Sequence, residues 1–99
     1  MKIVAKPIKT LAVFQYDDGT PMPYKFKIKG GGRDPEEEIS VTVNSVLRID
    51  RTRIAGKESI VYHCQSFIGD MEKRYELKYI IPECRWVLYK ILKVKGILL

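Results

Sequence analysis

Met71-Glu72-Lys73-Arg74-Tyr75-Glu76-Leu77-Lys78-Tyr79-Ile80-Ile81 is the segment whose reading decides the fold. Tyr75, Leu77, Tyr79 and Ile81 alternate with Arg74, Glu76, Lys78 and Ile80. Wound as a helix, the four apolar side chains would spread over more than half the circumference; extended as a strand, they line one face. The same period of two runs through Tyr24, Phe26 and Ile28 against Lys25, Lys27 and Lys29. It recurs in Ile39, Val41 and Val43 against Ser40, Thr42 and Asn44.

Just upstream, Gly69-Asp70 reads as a two-residue hairpin turn that sets Ile68 opposite Met71. In that register Ile60 faces Tyr79, Tyr62 faces Leu77 and Cys64 faces Tyr75, so the apolar sets of the two strands coincide. Cys64 is thereby a small core residue. On the opposite face His63 meets Glu76 and Gln65 meets Arg74. His63 is the sole histidine, and two roles compete for it. One is an acid–base group assisted by Glu76; the other is a cross-strand polar pair on a solvated face. Cys64 points to the other side of the sheet and no second carboxylate or hydroxyl is placed beside His63, so the structural role is preferred.

Turn chemistry separates the alternating runs at Asp17-Asp18-Gly19-Thr20-Pro21, Gly30-Gly31-Gly32-Arg33-Asp34-Pro35, Ala55-Gly56-Lys57-Glu58, Gly69-Asp70 and Pro82-Glu83-Cys84. Six strands follow, over residues 8–16, 23–29, 38–53, 59–68, 71–81 and 85–94. The loop at 30–35 reads as flexible. Short connections predict an all-β, six-stranded antiparallel meander, and with no helix to cover a face the sheet is expected to curl into a small barrel or half-barrel. In the last strand Trp86 and Leu88 take one face, and Val87, Tyr89 and Ile91 the other. A strand apolar on both sides is buried on both or sits at an interface. Val87, Tyr89 and Ile91, with the apolar tail Ile97, Leu98 and Leu99 in residues 95–99, form a candidate patch for barrel closure or for a homodimer.

The chain has 99 residues, of which 45% are hydrophobic, enough for one domain with its own core and too much for a disordered tail. Lys and Arg number 18 against 12 Asp and Glu, giving +6. Residues 1–29 carry six basic and two acidic groups, residues 30–58 five and six, and residues 59–99 seven and four, so the excess lies towards both ends. Such a balance favours nucleic acid, acidic surfaces or acidic proteins as partners. No stretch approaches the roughly 20 apolar residues that would span a bilayer, and Met1-Lys2-Ile3-Val4-Ala5-Lys6-Pro7 does not read as a leader peptide. A cytoplasmic location without membrane association is the expectation. Cys64 falls in mid-strand and Cys84 in a turn at the far end of the neighbouring strand, beyond disulfide reach, and both are expected to be free thiols.

No cofactor or metal is expected. One His and two scattered Cys do not make a zinc set. Gly30-Gly31-Gly32 lacks the Lys-Ser or Lys-Thr of a phosphate loop, and Glu36-Glu37-Glu38 reads as a solvated strand start. No catalytic triad can be assembled, and no enzyme activity is predicted. The remaining chemistry is cationic. Lys25, Lys27 and Lys29 point outward from the second strand, and Arg48, Arg51 and Arg53 lie along the end of the third, its expected hairpin neighbour. Were the two sets on one surface, with Tyr16, Phe67 or Trp86 exposed beside them, single-stranded nucleic acid could track along it. The competing reading is that the lysines keep a strand edge from aggregating.

Several stretches carry a resemblance: Asp18-Gly19, Pro23-Tyr24-Lys25-Phe26, Ala55-Gly56, Tyr62-His63-Cys64-Gln65-Ser66 and Arg74-Tyr75-Glu76-Leu77-Lys78-Tyr79, followed by Cys84, Trp86, Leu88, Tyr89 and Lys90. From Ile8 to Ile91 the chain resembles a family of small uncharacterised bacterial proteins of the Firmicutes. More distantly, the part from Arg74 to Trp86 is similar to a domain of unknown function whose bacterial members can lie near translesion-polymerase accessory genes. The resemblance implies no activity and no functional residues. The combined expectation is a non-enzymatic binding or structural module, associated with nucleic acid through a basic face. The alternative is a protein-interaction or homodimerisation module using the last strand and tail.

Overall fold

The computed structural model describes residues 2–30 and 36–92, Ile54 by its backbone alone. Eight antiparallel strands form: β1 (Lys2–Pro7), β2 (Lys9–Phe14), β3 (Pro21–Lys29), β4 (Glu38–Thr42), β5 (Ser45–Ile54), β6 (Lys57–Ile68), β7 (Met71–Ile80) and β8 (Arg85–Ile91). They make a five-stranded sheet in the order β1-β8-β7-β6-β5 and a three-stranded sheet in the order β2-β3-β4. Among the described residues there is no α-helix; one 3-10 turn, Ile81–Glu83, links β7 to β8.

The all-β, antiparallel expectation holds, but the six-stranded meander and the closed barrel do not. One of the six expected strands is divided between the sheets, and a further strand, β1, precedes the first expected one. The 38–53 run breaks at Val43-Asn44. There the Val43 amide donates to the Tyr24 carbonyl of β3 (2.8 Å) and the Asn44 amide to the Gln65 carbonyl of β6 (3.0 Å). The Asn44 side chain also accepts from the Phe67 amide at 2.9 Å, so the corner is bonded to both layers. β1 lies ahead of the expected 8–16 strand, of which β2 is the part formed, and the chain crosses between the sheets at Ile8, whose amide donates to the Trp86 carbonyl at 3.2 Å. Strands that change sheets at corners let a small domain close its core without a continuous ladder.

Between the sheets Phe26, Ile28 and Val41 of the small sheet pack on Ile60, Tyr62, Cys64, Tyr75, Leu77, Leu88 and Ile91 of the large one. Phe26 meets Tyr75 edge to face, centroids 5.5 Å apart. Buried hydroxyls tie the layers: Tyr62 donates to the Pro21 carbonyl, and Tyr75 bonds Ser66, which donates to the Thr42 carbonyl at 2.6 Å. The β6–β7 register follows the Gly69-Asp70 prediction residue for residue.

Bulges overturn other expectations. In β8, Glu76 pairs with Lys90 but Leu77 pairs with Leu88, so Tyr89 is an extra residue and parity reverses across it. Ile91 therefore points into the core with Trp86 and Leu88, and Val87 is buried as well. Tyr89 is half-buried, with the Lys78 ammonium 4.6 Å from its ring centroid. The candidate patch of Val87, Tyr89 and Ile91 is thus not an exposed apolar face. Ile97, Leu98 and Leu99, and the loop after Gly30 through residue 35, lie outside the described residues.

A candidate polyanion-binding face

The small sheet turns Phe26, Ile28 and Val41 inward, so the pleat turns Lys25, Lys27 and Lys29 outward. Register brings further groups to the same side: Leu11 opposite Lys25 and Lys9 opposite Lys27 on β2, with Thr42, Ser40 and Glu38 opposite the three lysines on β4. Where β1 passes into β2, the Lys6 ammonium donates to the Lys29 carbonyl at 3.4 Å. A groove of about 400 Å³ opens there, lined by Pro7 and Ile8 and rimmed by Lys6, Lys9, Lys27, Lys29 and Glu38. Five lysines therefore share one face and its rim.

Neutralisation of this face is partial. Lys9 lies 3.5 Å from Glu38, and Lys29 lies 3.6 Å from Glu36, both solvated pairs. Lys6, Lys25 and Lys27 make no ion pair among the described residues. Alternate residues on a strand step by about 6.7 Å, inside the ~8 Å Debye length at physiological salt, so the potentials of neighbouring ammonium groups overlap. Lys9 and Lys27 stand directly opposite each other, an arrangement that is destabilising in a sheet unless something answers it.

The arginines do not join this face. Arg48, Arg51 and Arg53 belong to β5, an edge of the large sheet. Their expected hairpin with the lysine strand is replaced by pairing with β6. An extra residue at Leu47 breaks the β5 register, after which Arg48 sits opposite His63 and Arg51 opposite Ile60, on different faces. Each is also engaged: Arg48 with Asp50 at 3.1 Å, Arg53 with Glu58 at 3.8 Å, and Arg51 with the Thr20 hydroxyl at 3.2 Å. Arg51 also adds to the forces that hold the Asp18 carboxyl below its usual range, the larger ones being hydrogen bonds from Thr20.

The expected aromatics divide as well. Trp86 packs against Tyr79 and Tyr62, with centroids 4.9 and 5.3 Å away. Phe67 is exposed, but on the outer face of the large sheet opposite Glu72. Tyr16 is fully exposed in the β2–β3 turn beside Asp17 and Asp18.

His63 does pair across the sheet with Glu76, Nδ1 lying 3.7 Å from the carboxylate. The structure adds Asp50, whose carboxylate is 2.9 Å from Nε2. Arg48 first, and then His63, hold the Asp50 carboxyl below its usual range. Asp50 thus meets Nε2 at hydrogen-bond distance, and Glu76 stands beside Nδ1 beyond it. Cys64 points to the core, where burial pushes its thiol up to about 12, far from the thiolate a nucleophile needs. Both cysteines are free.

Sequence reasoning missed Lys9 because residues 8–16 read as one apolar run despite the Lys9-Thr10-Leu11 alternation, and Lys6 because it lies on β1, ahead of every expected strand. It missed Asp50 because the bulge at Leu47 shifts which β5 side chains meet β6. No family model, no curated protein and no solved structure matches this chain. Among the described residues no helix is long and apolar enough to cross a membrane.

Proposed function

We propose that this protein is a non-enzymatic binding module whose lysine face, formed by β2 and β3 with Lys6 at its rim, associates with nucleic acid. The observation that carries this reading is Lys9 directly opposite Lys27, flanked by Lys25 and Lys29. Edge protection does not account for the row, because β3 is the middle strand of its sheet. A phosphate backbone answers it: successive anions neutralise successive lysines, relieve their mutual repulsion and release counterions. The roughly 6.7 Å step between Lys25, Lys27 and Lys29 is comparable with the separation of neighbouring phosphates along a polynucleotide. Arg48, Arg51 and Arg53, carried on the other sheet, are not part of the surface.

The test is fluorescence anisotropy with a labelled oligonucleotide across roughly 50 to 200 mM salt. Log affinity is expected to fall linearly with log salt, by about 0.7 for each phosphate neutralised on a single strand. The double variant Lys25→Glu, Lys27→Glu is expected to bind at least about tenfold more weakly at the lowest salt, and to flatten the slope by about 1.4. Absence of binding at low ionic strength, or an unchanged affinity in the double variant, removes this function.

A further inference from the structure

Tyr24 alternates with Phe26 and Ile28 in the sequence and belongs, on period two, to the core. The structure turns it the other way. Lys25 pairs with Leu11 on β2, but Pro23 pairs with Ala12, the next residue along, so Tyr24 is an inserted residue. A bulge of this kind places two consecutive side chains towards one face. Pro23 and Phe26 are accordingly buried, while Tyr24 and Lys25 are both exposed. Tyr24 keeps 52% of its surface accessible.

Its surroundings are those of a platform. Leu11, exposed, stands opposite the neighbouring Lys25. Met22, Val43 and Asn44 join Tyr24 around a shallow hollow of about 250 Å³. The Tyr24 carbonyl accepts from Val43 at 2.8 Å, which pins the backbone beneath the ring from the β4 side. Among the described residues the ring has no aromatic partner and the hydroxyl no hydrogen bond. Tyr16, the other strongly exposed tyrosine, is followed by Asp17 and Asp18, which repel phosphate; Tyr24 is followed by Lys25.

We infer that Tyr24 is a stacking platform for an unpaired base, so that the lysine face takes single-stranded nucleic acid in preference to duplex. This deepens the nucleic-acid reading above and rests on it. A duplex hides its base faces against one another, whereas a single strand can lay its phosphates along Lys25, Lys27 and Lys29 and turn a base onto the ring. The stacking is sequence-tolerant, because every base has a π-face.

Three probes separate the claims: labelled oligothymidylate, a duplex of the same length, and heparin, a polyanion without bases. Wild-type protein is expected to bind the single strand more tightly than the duplex. Tyr24→Leu is expected to weaken oligothymidylate binding by about 5- to 150-fold and to leave heparin and duplex binding unchanged. Tyr24→Phe, which keeps the ring, is expected to match the wild type. Equal single-strand binding by Tyr24→Leu and wild type, alongside loss in the Lys25→Glu, Lys27→Glu variant, overturns the stacking role and leaves the lysine face standing. A parallel loss of heparin binding in Tyr24→Leu also overturns it, since the residue would then act through fold or charge. If wild-type protein binds none of the three probes, both readings fall.

Discussion

Lys73 is placed at a cost to the core. It lies on the inward side of β7 opposite Ser66, 5% exposed, and its ammonium has no hydrogen-bond partner among the described residues. A buried, unsatisfied donor costs about 1–3 kcal/mol, more when charged. Methionine fills a similar volume without that demand. Lys73→Met is therefore expected to raise unfolding stability by about 1–3 kcal/mol, read as a higher urea midpoint at constant slope; an unchanged or lower midpoint would show that the ammonium is satisfied. Residue-level reading of the sequence did well where a side chain's role followed from its own strand. Cys64 as a core thiol and His63 beside Glu76 both came from one hairpin. Asp50 did not, because its approach to His63 depends on a different strand and on the extra residue Leu47.

At the scale of elements the hairpin of β6 and β7 was the legible part. Its two-residue turn leaves one register, and a slip by one would have exposed Tyr62, Cys64, Tyr75 and Leu77 together. Gly69 makes that turn with φ +64. A Cβ there would meet nothing within 4 Å, so the cost of Gly69→Ala is conformational. It is expected to be about 1 kcal/mol, measurable as a lower urea midpoint, with the slope unchanged; a loss several times larger would mean that the register itself had moved. The bulges were illegible. Leu47, Tyr89 and Tyr24 each add one residue to one side of a ladder, and nothing in a local period of two marks which residue is the extra one. Ala5, at φ 46 beside the irregular pairing of β1 with β8, shows why the first strand escaped notice: its alternation breaks in the middle.

Across the whole molecule, the lysine face couples binding to stability. A ligand that holds the folded state at about 100 times its Kd adds about 2.7 kcal/mol. For a domain of this size that is about 10–20 °C in Tm. Single-stranded oligonucleotide at low salt is expected to produce such a shift in the wild type and to lose it in the Lys25→Glu, Lys27→Glu variant. An equal shift in both would place the binding elsewhere on the molecule. The sandwich also explains why the cations divide as they do. Where the 38–53 run passes its corner at Val43-Asn44 it leaves the lysine layer, carrying all three arginines to the other sheet.

The residues alone were enough for the all-β antiparallel class, for the β6–β7 pairing and for most of the inward-facing set. Alternation and turn chemistry act over a few neighbours, and those neighbours are printed side by side. Folding in three dimensions decided where strands cross between layers, where a bulge reverses the pleat, and hence which charges and rings share a surface. Those choices are made by closure of one core between two sheets, a constraint that joins residues far apart in the chain and leaves no local period to read.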